Sequence, residues 1–164
     1  MAIFDKTAKK KTREVLVGLG ASDRKWLQEI LCSEYADEVR MSAQLKEHAR
    51  RMPYAQFRDR LIEIASEEDR HAQWLAEKIE ALGGHIPEVL SSPWVGRNSW
   101  ECLVKDLEEE NRCCANLEDW LPAVEGMDPD FALGLRKMCE EERSHRDEIR
   151  EMLMRSDPQA STLQ

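Results

Sequence analysis

Glu68-Asp69-Arg70-His71 and Glu142-Arg143-Ser144-His145 are two copies of one short pattern, E-x-x-H, set 74 positions apart. Residues three apart lie on one face of an α-helix, so the Glu and the His of each copy can reach a single ion. The same shift carries Glu34 onto Glu108 and Trp26 onto Trp100, one helix earlier in each half. Glu34, Glu68, His71, Glu108, Glu142 and His145 then form two copies of Glu…E-x-x-H. Projected inward from four helices, that set suits a carboxylate-bridged dinuclear iron or manganese site in a helical bundle.

Working outward from these motifs, apolar stripes at helical spacing predict four long helices. The first runs from about 23 to 51 behind a Ser22-Asp23 N-cap, with Leu27, Ile30, Leu31, Glu34, Glu38, Met41 and Leu45 on one face. Pro53 marks a turn, and a second helix follows over 54–82 with Phe57, Leu61, Ile64, Glu68, His71, Leu75, Ile79 and Leu82 inward. Gly83-Gly84 ends it. A third helix over 98–120 turns Leu103, Val104, Leu107, Glu108, Asn111 and Ala115 inward, and Pro122 to Pro129 make the next turn. The fourth, 129–155, buries Phe131, Leu135, Met138, Glu142, His145, Ile149 and Met152. Residues 1–22 read as a tail or short helix and 156–164 as a disordered tail, leaving 23–155 as one four-helix domain. Short links join helices 1–2 and 3–4 into antiparallel hairpins. The middle link of about fifteen residues reaches roughly 50 Å when extended, enough to run along a helix of about 42 Å.

Four glutamates on apolar stripes need compensation, because a carboxylate facing a hydrocarbon core is costly unless it is paired or bound to metal. The nearby Lys and Arg fall on outward faces. Two divalent ions balance four carboxylates, and neutral imidazoles complete the coordination without adding charge. Glu38 also faces inward, one turn after Glu34, and Glu109 and Glu110 follow Glu108; hairpin symmetry about residues 52–53 places Glu34 level with Glu68 and His71, and the repeat and the stripe favour Glu108, so Glu34 and Glu108 are the expectation. His48 and His85 lack the pattern and read as surface or packing residues.

Composition narrows the function classes. The chain of 164 residues is 41% hydrophobic and 35% charged, with 7 Gly and 6 Pro, a profile for long solvated helices. A net charge of −9 argues against nucleic acid or an anionic membrane as partner, despite the basic run Lys6 to Arg13. The five cysteines are odd in number and include no C-x-x-C pair, which points to reduced thiols in the cytoplasm. No apolar run approaches the length of a membrane span or a secretory signal.

At these residues the chain resembles the bacterioferritin and rubrerythrin branch of the ferritin-like superfamily, over residues 23 to 155. Glu34-Tyr35-Ala36-Asp37-Glu38 and Ser66-Glu67-Glu68-Asp69-Arg70-His71 carry the resemblance. It implies an all-α, ferritin-like bundle of two hairpins joined by a long crossover. Glu68 and Glu142 would bridge two metals, while Glu34 with His71 and Glu108 with His145 would cap one metal each. Rubrerythrins place a further Glu one turn after the third-helix ligand, where this chain has Asn111, and they carry paired C-x-x-C motifs that it lacks. The symmetric ligand set looks more like bacterioferritin, without implying a storage shell. The implied activity is di-iron oxidation of Fe(II) by O₂ or H₂O₂, with an external electron donor, Mn or mixed Mn/Fe as variants, no haem, and a homo-oligomeric assembly. The rival reading is a bundle that binds metal without turnover, as sensor, carrier or structural protein. Tyr35 and Cys139 read as packing residues. Cys113-Cys114 is a vicinal pair that cannot both face the core, and Trp94 in the crossover is a candidate cover for a neighbouring subunit.

Overall fold

The structure, a computed structural model, describes residues 19–158. The basic run Lys6 to Arg13, the rest of residues 1–18 and the tail 159–164 lie outside the described residues. Four helices make up the described chain: α1 (Ala21–Arg51), α2 (Ala55–Ala81), α3 (Ser99–Met127) and α4 (Pro129–Met154). α1 pairs with α2 and α3 with α4, and the two hairpins lie side by side, α1 against α3 and α2 against α4.

The ends of the helices follow from local chemistry. α2 stops in a Schellman arrangement: Gly83 N–H donates to Glu80 O and Gly84 N–H to Ile79 O, both at 2.9 Å, with Gly83 at φ 76°, where a side chain would be strained. Asn98 caps α3 by accepting from Glu101 N–H at 2.9 Å. Asp128 caps α4 by accepting from Asp130 and Phe131 N–H, with Pro129 in the first turn. Two boundaries differ from the sequence reading. α1 starts after Gly20 with no side-chain cap, so Ser22 and Asp23 sit inside its first turn. α3 does not end near Trp120 but carries Pro122 inside it and continues to Met127. Pro122 is exposed, where water can meet the carbonyl its ring leaves unpaired, and fully buried Val124 ties the additional turns to the core.

The crossover, residues 82–98, brings α3 back to the end where α2 began. Asn98 donates to Pro158 O at 2.8 Å, and the neighbouring Asp157 N–H lies 3.5 Å from Tyr54 Oη at the start of α2. The start of α3, the end of α4 and the start of α2 therefore share one end of the bundle, as the long link predicts. The core is split into two apolar layers. One holds Leu27, Leu31, Leu75, Ile79, Leu117, Val124, Phe131 and Leu135; the other holds Leu45, Met52, Phe57, Leu61, Ile64, Leu103 and Ile149. Between them lies a buried polar layer of Glu34, Glu38, Glu68, His71, Asp106, Glu110, Glu142 and His145.

Candidate metal centre

The two E-x-x-H motifs meet in that polar layer. Two groups of donor atoms form, each spanning at most 4.8 Å: Glu38, Glu68, His71 and Glu142 in one, and Glu68, Glu110, Glu142 and His145 in the other. Glu68 and Glu142 belong to both. All six residues are buried. Each group could hold a cation, and the two groups share a pair of carboxylates, each group completed by one more Glu and one His.

Of the six residues expected from sequence, the structure brings Glu68, His71, Glu142 and His145 together and separates the other two. Glu108 is 64% exposed and faces Lys105, 3.7 Å away; Glu110, two residues on, takes the buried place. Glu34 is buried but one turn off, where its Oε1 accepts from the Cys113 thiol at 2.9 Å, and Glu38 takes the place beside His71. The physical reason is register. Between the second helices of the hairpins the shift is 74, but between the first helices it is 72, carrying Leu31 onto Leu103, Glu34 onto Asp106, Glu38 onto Glu110 and Leu45 onto Leu117, all buried. Two additional residues precede the second turn, accommodated as α3 runs through Pro122. The Trp26/Trp100 match at 74 carries no structural equivalence.

The imidazoles are aimed by carboxylates on the opposite hairpin. His71 Nε2 lies 2.8 Å from Glu141, and His145 Nε2 lies 2.6 Å from Glu67. Each Glu immediately precedes a motif Glu, so the pattern is E-E-x-x-H twice, and each helix orients the other's histidine. A carboxylate holding Nε2–H leaves Nδ1 facing the centre, the arrangement typical of metal-bound histidine. The signal for this cross-bracing in the sequence is the additional Glu, Glu67 or Glu141, before each motif.

The donor set passes a test of fit for cations. His145 Nδ1 is 2.9 Å from Glu68 Oε1 and His71 Nδ1 is 2.7 Å from Glu142 Oε1. Even so, Glu68 Oε1, Glu142 Oε1, His145 Nδ1 and both oxygens of Glu110 make no hydrogen bond. Buried polar atoms are ordinarily paired; lone pairs converging without hydrogen bonds suit a shared ion. Left to its own side chains, the cluster settles its charge with protons. Burial, reinforced by the charges of Glu142 and Glu68, pushes the Glu38 and Glu110 carboxyls well up. Burial raises Glu34 to about 8, against the Cys113 hydrogen bond. Burial also lifts Glu68, but contacts from His145 and His71 outweigh it and hold this carboxyl low. Burial disfavours the charged form of His71, yet Glu141 and Glu142 overcome it and raise its pKa; Glu68 does the same for His145.

Residues 27–157 match the family model of the ferritin-like domain. The chain belongs to the ferritin-like family. Among solved structures, a Desulfovibrio desulfuricans bacterioferritin, described with a diiron site in different catalytic states, is similar at 22% identity and a TM-score of 0.73, covering 81% of each chain. A ferritin-like diiron-carboxylate protein of Bacillus anthracis shares 23% identity at a TM-score of 0.75, over 82% of this chain and 99% of that one. A dodecameric, bacterioferritin-related thioferritin of Bacteroides fragilis shares 21% at 0.75, over 89% and 94%. At these identities the likeness shows the fold. None of the curated proteins matches the chain.

The other histidines separate. His85 is exposed, while His48, expected as a surface or packing residue, is buried with Nδ1 2.8 Å from Asp106 and Nε2 2.6 Å from Trp94 O. Burial works against its charge, but Asp106 dominates and pushes its pKa to about 10. His48 thus neutralises a buried carboxylate and ties the crossover to the bundle. Trp94 is half exposed, Tyr35 and Cys139 pack on the first apolar layer, and Cys114 faces the core while Cys113 faces the α1 carboxylates. No helix among the described residues is long and apolar enough to cross a membrane.

Proposed function

We propose that the chain is a di-iron oxidoreductase that oxidises Fe(II) with O₂ or H₂O₂ at the buried centre. Glu38 with His71 and Glu110 with His145 would each hold one ion, and Glu68 and Glu142 would bridge them. The observation that carries this reading is the pair of donor groups sharing two carboxylates, each with one buried oxygen that makes no hydrogen bond. A bound pair of iron ions supplies the electrons for reducing the oxidant and the positive charge that keeps four carboxylates ionised. Glu67 and Glu141 fix the imidazoles, and the flanking apolar layers limit water. A cavity of about 190 Å³ between α1 and α3, under Ser91 to Trp94, reaches Glu38, Glu68, Glu110 and Glu142 and gives a small oxidant a route in. The deprotonated centre requires the His71 and His145 protons to leave on loading. Mn or mixed Mn/Fe loading is the metal variant of the same site, and an external donor returns electrons.

The dodecamer described for the Bacteroides fragilis relative supports a homo-oligomer here, and exposed Leu90 and half-exposed Trp94 in the crossover offer apolar surface for it. The free cysteines suit a reducing cytoplasm. Anaerobic Fe(II) titration followed by air tests the activity. At least two irons per chain and a rapid rise in near-ultraviolet ferric absorption are expected. Oxidation no faster than that of free Fe(II) would replace the enzyme reading with that of a metal carrier or sensor.

A further inference from the structure

Glu34 is left over once Glu38 and Glu110 take the central places, and its surroundings are lopsided. Its counterpart in the other half, Asp106, receives the His48 imidazole at 2.8 Å and the Gln44 amide at 2.9 Å. Glu34 is 1% exposed, its Oε1 has only the Cys113 thiol, and its Oε2 makes no hydrogen bond. Arg112, whose charge acts on Glu34, is engaged by Asp37 and Glu109. Among the described residues, one half therefore pairs its buried carboxylate with an internal cation, while Glu34 has no ion pair.

Glu34, Glu38 and Cys113 bring one donor atom each within 4.8 Å of one another, with Cys113 Sγ 3.7 Å from Glu38 Oε1. The cavity that reaches the centre also opens on Cys113 and Glu38. We propose that Glu34, Glu38 and Cys113 form a third cation site, adjoining the dinuclear centre through Glu38. One thiolate with two carboxylates selects a borderline-soft divalent ion such as Zn²⁺, Fe²⁺ or Co²⁺ over Mg²⁺ or Ca²⁺. On binding, the Cys113 S–H bond breaks, its electron pair becomes the metal–sulfur bond, and the proton leaves to solvent through the cavity. The inference adds to the proposed dinuclear reading and shares only Glu38 with it.

Anaerobic titration of the reduced full chain with Co²⁺ tests the site, read by thiolate-to-cobalt charge-transfer absorption and by cobalt bound per chain. The expected result is three ions with the thiolate band in the unaltered chain and in Cys114→Ala. Cys113→Ser and Glu34→Gln should lose the band and one ion, with helical circular dichroism confirming that they fold. A band that survives Cys113→Ser, or two ions with no band in the unaltered chain, overturns the third site; the latter leaves the dinuclear reading standing. A single ion with the band would sink the dinuclear reading and keep this one.

Discussion

Replacing Glu141 by Ala probes the cross-bracing of the two hairpins without touching a residue of the centre. Glu141 is 38% exposed and holds His71 Nε2 at 2.8 Å. A hydrogen bond to a charged group contributes about 1.5–3 kcal/mol, and partial exposure places this one at the low end. Removing the carboxyl frees the imidazole to rotate away from its Nδ1-inward pose and lowers its basicity. Losing such a supporting contact typically costs about 10–100-fold in metal affinity, and the exposure argues for about tenfold, or ~1.4 kcal/mol. Glu67 is shared with Arg60 and Arg70 at 3.6 and 3.4 Å, so its field at His145 is already diluted and Glu67→Ala should cost no more. The assay is competition between the protein and a chelating dye for Co²⁺, with exposed Glu140→Ala as control. Glu141→Ala matching the control would refute the bracing role.

Metal affinity should fall as pH falls. His71 and His145 are raised above the ordinary histidine value and Glu38 and Glu110 above the ordinary carboxyl value, so protons compete with a cation for these donors at higher pH than at ordinary side chains. Calorimetry in two buffers of different ionisation enthalpy should show net proton release at pH 7; no release would contradict the charge account. Gly134→Ala should destabilise the bundle by about 1–3 kcal/mol through overpacking, because a Cβ there would stand 2.5 Å from Trp74 Cζ2, against Phe131 in the first apolar layer. Denaturant unfolding measures it, and an unchanged midpoint would show that Trp74 can yield.

The helices, the hairpin pairing and the two E-x-x-H motifs were legible because each rests on spacing within one helix or on a link length. Glu38 and Glu110 were not, because their placement depends on register between helices. The repeat of 74 holds between α2 and α4 but not between α1 and α3, where two residues inserted before the second turn break it. The apolar stripe of α3 points the same wrong way. The expected stripe, Leu103, Val104, Leu107, Glu108, Asn111 and Ala115, rests on its apolar members, whereas the face that turns inward is Leu103, Asp106, Glu110, Cys114 and Leu117, polar where it lines the site. Asn111 and Ala115 are exposed, and Val104 and Leu107 are half-buried. Hydrophobicity misleads in a layer whose purpose is to hold charge. The buried place of His48 fits a packing residue, but its ion pair with Asp106 depends on that same polar face.

Anomalous diffraction at the iron edge from crystals loaded anaerobically with Fe(II) reads the centre most directly. The account predicts two peaks between Glu68 and Glu142, one bonded to Glu38 and His71 Nδ1 and the other to Glu110 and His145 Nδ1. No peak in the polar layer, or iron held instead by Glu108 at the surface, would contradict it.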